Sequence, residues 1–339
     1  MTTPGVVTLR MLAREAGFSP ATVSRALRGD PRTPEATRLR IAETARSIGY
    51  RANPLASAFM AHLRGARKPR YTATMGFLLA SRREASAWGY RTYAEHCRRY
   101  LETLGYRLEV FLYAEAPMTG ARLSKVLWTR GIQGLIVPAT RPGVPACELQ
   151  WEHFATAVIG TRYGMPPFHL AVANHFENVS LAYRELRRQG CSRIGLFIKE
   201  VIDEWTHHRM RAGALLAQEE TSKRDRVPPL IAPQLDERQF FRWMDRHRPD
   251  AVLTAHAEAY GWLVREGWKI PQEVEFANLH LIPDFPDQNG IDQQDEAVCM
   301  AAVDLVIGQL SRNERGVPKA PKTVMIDGVW RGRDLQNSA

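Results

Sequence analysis

The sequence predicts an α/β fold in two unequal parts, a small helical head followed by a larger body in which strands and helices alternate. Three observations predict it. Residues 8–49 are punctuated as three short helices, with Ser/Thr and Pro at their starts and Gly at their stops. The basic excess is confined to the first fifth of the chain, where residues 1–70 hold 13 Lys+Arg against 4 Asp+Glu while residues 71–339 hold 33 against 32. Beyond Tyr71 the apolar pattern switches between runs of strand length and stretches of helical period over about 200 residues, which predicts parallel sheets covered on both faces, a doubly wound architecture.

In the head, Thr8 is placed to cap a first helix whose apolar face is Leu9, Leu12, Ala13 and Ala16, and Gly17 stops it. Ser19 then stands at an N-cap with Pro20 at the first helical position, where a missing N–H forfeits no bond. Val23, Ala26 and Leu27 turn inward on this second helix. Thr33-Pro34 opens a third, with Glu35 favourable to the dipole in its first turn and Leu39, Ala42, Ala45 and Ile48 as its expected buried face. Two short helices across a Gly-containing turn, braced by a third, make a helix-turn-helix whose second helix lies in the major groove. Its polar face carries Ser19, Ala21, Thr22, Ser24, Arg25 and Arg28, able to bond phosphates and, through arginine, guanine O6 and N7. A generic three-helix bundle has the same spacing. The charge segregation separates the two, because a basic domain on a nearly neutral one is the electrostatic footprint of nucleic-acid binding.

Residues 53–70 form a candidate hinge. Pro54 to Leu63 has the pattern of one short helix with Leu55, Phe59 and Met60 on a side, followed by the breaker-rich basic run 64–70. Alone it is too short to be stable, so its folding is expected to be coupled to DNA and to a partner hinge across a dyad.

In the body, strands are predicted over 74–80, 107–113, 134–137, 156–159, 193–198, 251–254 and 275–279, and helices over 93–104, 119–129, 177–189, 210–219, 237–246 and 260–266. Ligands of such sheets bind beyond the carboxyl ends of the strands. At 339 residues, 45% apolar and 24% charged, the chain has room for two or three domains. No stretch reads as a signal peptide or as about 18 consecutive apolar residues, so neither export nor membrane insertion is expected and a cytoplasmic location is. Cys97, Cys147, Cys191 and Cys299 are far apart, with no zinc spacing, and are expected to be buried thiols. His207-His208 point to different helix faces and make a poor metal pair, so no metal is expected. There is no GxGxxG after a strand, no GxxxxGK[ST], no GxSxG and no HExxH, hence no catalytic residues and no cofactor are expected. Asp203-Glu204 as a glycosidase pair is outweighed by the ordinary reading of two solvated loop carboxylates.

The runs 12–19 (LAREAGFS), 21–27 (ATVSRAL) and 48–56 (IGYRANPLA) closely resemble the head and hinge of the lactose-repressor (LacI/GalR) family. The segments 189–195 (QGCSRIG), 248–253 (RPDAVL), 267–274 (GWKIPQEV) and 290–293 (GIDQ) resemble its body more loosely. The resemblance implies a dimeric bacterial transcription regulator on palindromic operator DNA. It implies a head at 1–52, a hinge at 53–70 and, at 71–339, a type I periplasmic-binding-protein-like body of two doubly wound Rossmann-like lobes joined by three crossovers. The first lobe would be about 71–168 with 292–321 and the second about 169–291 with 322–339. DNA contacts would then include Thr8, Ser19, Pro20, Ala21, Thr22, Ser24, Arg25 and Arg28, with Asn53, Leu55, Ala56, Phe59 and Met60 from the hinge. Phe59 stands where the family offers a leucine to the minor groove, and either Phe59 or its neighbour Met60 is apolar enough to wedge there.

A small-molecule effector, usually a sugar or a nucleoside-like metabolite, would lie between the lobes. The family often places an arginine three residues before a glycine, and here the segment runs Arg209-Met210-Arg211-Ala212-Gly213, so either Arg209 or Arg211 fills the role. His256-Ala257 replaces a usual Asn-Asp pair, and His280 a usual aspartate. Trp88, Tyr90 and Trp205 are placed in loops able to stack on a sugar, or equally to be half-buried packing. A transport solute-binding protein would share the body but not the basic head, and a sugar-active enzyme would need a site that the sequence does not display.

Overall fold

A computed structural model describes residues 9–19, 22, 23, 26, 33–47, 73–115, 118–140, 144, 146–282 and 288–332. The chain divides into two compact units, 1–70 and 71–339.

In the head, α1 (Leu9–Ala16) stops at Gly17, whose φ of +75° is the left-handed turn glycine adopts without a Cβ penalty. The Phe18 amide donates to Ala13 O (3.0 Å) and the Gly17 amide to Arg14 O (3.3 Å), which satisfies the last carbonyls of the helix. The Ser19 hydroxyl accepts from the Thr22 amide at 3.1 Å, the N-cap expected there, and Thr22, Val23 and Ala26 are helical. The next helix, α2, spans Glu35–Ser47. Leu12, Ala13, Ala16, Val23, Ala26, Ile41 and Ala45 form the core, with Phe18 packed on it under the Arg40 guanidinium. Each large aliphatic buried here contributes about 1.5–3 kcal/mol. One expectation fails: Leu39 is 62% exposed, and the inward face of α2 is set by Ile41 and Ala45, one turn apart. Thr8, Pro20, Ala21, Ser24, Arg25, Arg28 and the hinge residues Asn53, Leu55, Ala56, Phe59 and Met60 lie outside the described residues.

Among the described residues the body holds two six-stranded sheets. The first has the order β2 (Tyr106–Leu112), β1 (Ala73–Leu79), β3 (Gly134–Pro138), β4 (Ala155–Ile159), β5 (His169–Ala173), β11 (Thr323–Ile326), all parallel. The second has the order β7 (Leu230–Ala232), β6 (Ile194–Lys199), β8 (Ala251–Thr254), β9 (Glu275–Asn278), β10 (Asn289–Asp292), β12 (Val329–Arg331), with only β12 antiparallel. Both follow the doubly wound 2-1-3-4-5 order, so each has a switch point beside its first strand.

Strand alternation decides which helix covers which face. Met75, Phe77 and Leu79 of β1 pack against α4 (Trp88–Thr103) and α11 (Asp295–Ser311), while Leu78 packs with α5 (Gly120–Thr129) on the other side. A short α3 (Arg82–Ser86) precedes α4. In the second lobe, Leu196 and Ile198 meet α6 (His175–Arg188) and α8 (Arg209–Glu219). Phe197 instead meets α9 (Glu237–His247) and α10 (Glu258–Arg265). A six-residue helix, α7 (Glu200–Trp205), follows β6. Cys97, Cys147 and Cys299 are buried free thiols and Cys191 is half-buried.

The chain passes between lobes at 173–175, 292–295 and 326–329. The boundaries differ from the sequence expectation. His169–Ala173 pairs with β4, and Thr323–Ile326 with β5, so both segments belong to the first lobe rather than the second. Two of the crossovers are laced together. The Asn174 amide donates to Ile326 O (2.7 Å), its side chain to Asp327 Oδ1 (2.8 Å), and the Gly328 amide to Asn178 Oδ1 (2.8 Å).

Candidate functional site

Because all three passages between lobes leave from strand ends, the carboxyl edges of the two sheets face one another, the place where ligands of this architecture bind. From the first lobe, the Tyr90 hydroxyl donates to Ala139 O beyond β3 at 2.8 Å. Buried Glu84, beyond β1, accepts the Ala80 amide at 2.7 Å through Oε2, and its Oε1 has no partner. Arg162, beyond β4, donates to Phe168 O (2.6 Å), Lys322 O (3.0 Å) and Thr323 Oγ1 (3.2 Å), so its donors fasten its own lobe.

From the second lobe come α7 and α8. Asp203 is buried, and its Oδ2 accepts from His208 Nδ1 (2.8 Å) and pairs with Arg211 Nε (3.3 Å). That pair occupies Arg211. Arg209, the first residue of α8, has no hydrogen-bonded or ion-paired side chain among the described residues. The two candidate arginines therefore differ in kind, one held by a buried carboxylate and one unengaged. Trp205, at the end of α7, is half-buried with Nε1 closed off and unpartnered. His208 stands at the N-cap of α8 in the left-handed region (φ +58°) without a side-chain capping bond, and no acidic residue lies in the first turn.

Of the two histidines picked from the sequence, His256 is buried. Its Nε2 accepts the Lys199 amide at 2.9 Å, tying the end of β8 to the end of β6, and its ring lies 5.9 Å from that of Phe197. Burial, with the nearby Lys199 charge, lowers its pKa to about 4, so it is neutral at pH 7. His280 behaves oppositely. Burial pushes its pKa down, but the hydrogen bond from Nε2 to Asp295 Oδ2 (2.9 Å) and the charges of Asp295 and Asp292 outweigh that and hold it above the ordinary value. Since Asp295 opens α11 and His280 follows β9, the pair joins the second lobe to a helix of the first.

Trp88 and Tyr90 lie in the first turn of α4 and not in a loop; the side chain of Trp88 is outside the described residues. Ser19 in the head is exposed and Thr22 half-buried. The structure adds residues that sequence reading missed, namely His175, Arg162, Asp295 and Glu84. His175 opens α6, its Nδ1 is closed off without a partner, and burial followed by the His280 and Arg209 charges lowers its pKa to about 4. Arg162 feels Arg209 across the lobes, after burial the second cause of its lowered pKa. The only local signal was the capping Asn174 before His175.

Comparison with known proteins gives a consistent outcome. Residues 8–53 match the family described as bacterial regulatory proteins, lacI family. An HTH-type transcriptional regulator GntR of Pseudomonas aeruginosa is 48% identical over 56 residues, and the match spans 16% of this chain and 16% of that regulator. Among solved structures, a transcriptional regulator CelR–cellobiose complex has a TM-score of 0.55 at 16% identity, covering 96% of this chain and 98% of its own. A lac repressor dimer bound to operator and the anti-inducer ONPF has 0.54 at 16%, covering 98% and 99%. The Cra dual regulator of Pseudomonas putida with fructose 1-phosphate has 0.56 at 15%, covering 77% and 98%. At these identities the structural likeness establishes the fold.

Proposed function

We propose, from the match of residues 8–53 to the lacI family of bacterial regulatory proteins, that the chain is a sequence-specific DNA-binding transcriptional regulator, acting as a cytoplasmic homodimer and controlled by a small molecule held between its lobes. The observation that carries this is the union of a capped helix-turn-helix, in a segment with a charge of +9, with a two-lobed body whose ligand edges face each other. Ser19, Pro20, Ala21, Thr22, Ser24, Arg25 and Arg28 are the DNA-reading set, with Thr8, Asn53, Leu55, Ala56, Phe59 and Met60 as flanking and hinge contacts. Trp88, Tyr90, Trp205, Arg209 and His280 form the effector set. Arg209 takes precedence over Arg211 because Arg211 is spent on Asp203, and His256 supports the cleft wall from behind. The neighbours with bound cellobiose and fructose 1-phosphate favour a saccharide effector, and a lac repressor neighbour on operator favours a palindromic site. A transport solute-binding role has no use for the head, and among the described residues no arrangement of side chains at the cleft supports an enzyme.

The test is a gel shift of the full chain with genomic fragments at several salt concentrations. Specific retention with affinity falling steeply as salt rises is the expected outcome, because each phosphate neutralised releases a counterion. Arg25→Ala should weaken specific binding by about 1–3 kcal/mol and relax one operator position. Absence of any specific fragment, or retention unchanged when residues 1–70 are deleted, would overturn the proposal.

A further inference from the structure

The two lobes repeat one arrangement beyond their first strands. β1 ends at Leu79 and leads into the short helix α3, which carries Glu84, and β6 ends at Lys199 and leads into α7, which carries Asp203. Both residues are buried, 7% and 2% exposed. Each carboxyl group has one oxygen held and the other left over. Glu84 Oε2 accepts the Ala80 amide at 2.7 Å, and Asp203 Oδ2 accepts from His208 Nδ1 at 2.8 Å and pairs with Arg211 Nε at 3.3 Å. Glu84 Oε1 and Asp203 Oδ1 are closed off without a partner. In the 2-1-3-4-5 strand order both carboxylates follow the strand that borders the switch point, where ligands of a doubly wound sheet bind.

Each lobe also holds an unpartnered donor there. Tyr113 continues β2, its amide donating to Leu79 O at 2.9 Å, so it stands at the end of β1. Its hydroxyl is closed off without a partner. Burial first, and then Cys147, Glu84 and Tyr90, raise its pKa, which keeps the phenol protonated and able to donate. Tyr90 itself spans the switch point, its hydroxyl donating to Ala139 O beyond β3 at 2.8 Å. In the second lobe, Trp205 closes the helix that carries Asp203, and its Nε1 is closed off and unpartnered. A polar atom left in this way is costly. One such atom would be an isolated defect, but an acceptor and a donor left over at the equivalent place in both lobes, beside Tyr90 and on Trp205 of the effector set, point to a ligand.

On the reading that the cleft holds the effector, we propose that Glu84 and Asp203 determine its specificity, and that the effector is an uncharged polyhydroxylated molecule whose hydroxyl groups donate to Glu84 Oε1 in the first lobe and to Asp203 Oδ1 in the second. A carboxylate or phosphate oxygen has no proton to give to a carboxylate. An ammonium group gives protons but cannot accept from Tyr113 or Trp205. A hydroxyl group does both.

The test uses the full chain, with isothermal titration of D-glucose and D-galactose, each beside its uronic acid and its 2-amino derivative, and of cellobiose beside cellobionate. At least one uncharged sugar should bind saturably, and its charged counterparts roughly tenfold or more weakly. Glu84→Gln, which keeps an acceptor for the Ala80 amide, and Tyr113→Phe should each weaken that sugar roughly tenfold. The ligand-free urea midpoint of Tyr113→Phe should not fall, because the atom removed has no bond to lose. In the second lobe Asp203→Asn should weaken the sugar similarly, and Trp205→Phe takes its place if the lost charge opposite Arg211 unfolds the lobe. A charged sugar bound as tightly as its parent, no saturable response to any uncharged sugar, undiminished affinity in either first-lobe variant, or a lowered midpoint in Tyr113→Phe, as a structural water between it and Glu84 would give, each overturns the proposal. Gel shift of the same preparation keeps the two readings apart. DNA retained without sugar binding overturns this proposal alone, and DNA not retained overturns the regulator reading whatever the sugars do.

Discussion

Arg209 and Arg211 are two positions apart on one helix and differ in everything that surrounds them. Removing Arg211 leaves buried Asp203, whose Oδ1 already lacks a partner, hydrogen-bonded to His208 Nδ1 but without the guanidinium it pairs with. Breaking a fully buried pair costs several kcal/mol, but Arg211 is 40% exposed and water screens part of that. Arg211→Ala is therefore expected to lose about 1–2 kcal/mol in urea denaturation. Arg209→Ala, which removes a cation that acts on Arg162 and has no ion pair among the described residues, should leave the midpoint unchanged or raise it. The reverse order would mean that Arg209 has a stabilising partner and that the assignment of the two is exchanged.

At the scale of elements, the approach of α8 to α6 depends on a missing side chain. Gly213→Ala would place its methyl 2.9 Å from a backbone carbonyl on α6, which cannot swing aside, so α8 must shift. A loss of about 1–3 kcal/mol is expected, accompanied by weaker effector binding because Arg209 rides on the same helix. Full stability in that variant would show that the crossing tolerates a methyl. The hinge makes a separate prediction from its sequence. Two hinge helices pressing Phe59 into the minor groove would pry a base step apart, at a few kcal/mol offset by the new contacts, and a flexible central step makes this less costly. Phe59→Ala should lower operator affinity more than non-specific affinity and reduce the DNA bend. A larger loss from Met60→Ala would move the wedge by one residue, and no loss from either would remove it.

For the molecule as a whole, acid should unfold the body before neutral pH does. His175 and His256 both have pKa values near 4 in the folded chain, against about 6.5 when unfolded. As pH falls below about 6.5 the unfolded state takes up protons that the folded state refuses until about 4, so stability drops through that window. His280, raised by Asp295, works the other way, adding stability below its unfolded pKa that is lost as pH rises through its folded one. Burial and neighbouring charges also hold His169, His207 and His247 below the ordinary value, so with one described histidine raised against these the urea midpoint should be lower at pH 5 than at pH 7.5. His256→Gln should flatten the dependence. An unchanged midpoint across this range would mean that the buried imidazoles titrate normally.

Local chemistry was legible in the sequence wherever a residue's role depends on its near neighbours. The stop at Gly17, the cap at Ser19, the basic head and the alternation of strand and helix follow from rules spanning a few residues or from charge counting. Elements whose identity comes from burial were not legible. The helix α11 is apolar almost all round because it is packed against a sheet, and β5, β10, β11 and β12 border the crossovers, where strand pairing is made between segments far apart in the chain or across a lobe change. Leu39 looked like core, yet only the packing of three helices decided that Ile41 faces inward. The cleft was the least legible. Which arginine is free depends on where Asp203 sits, and which carboxylate opposes His280 depends on a helix fifteen residues further along the chain and across a crossover. Those pairings are tertiary, because charge and hydrogen bonding act through space over a few ångströms and the sequence records only the order of residues.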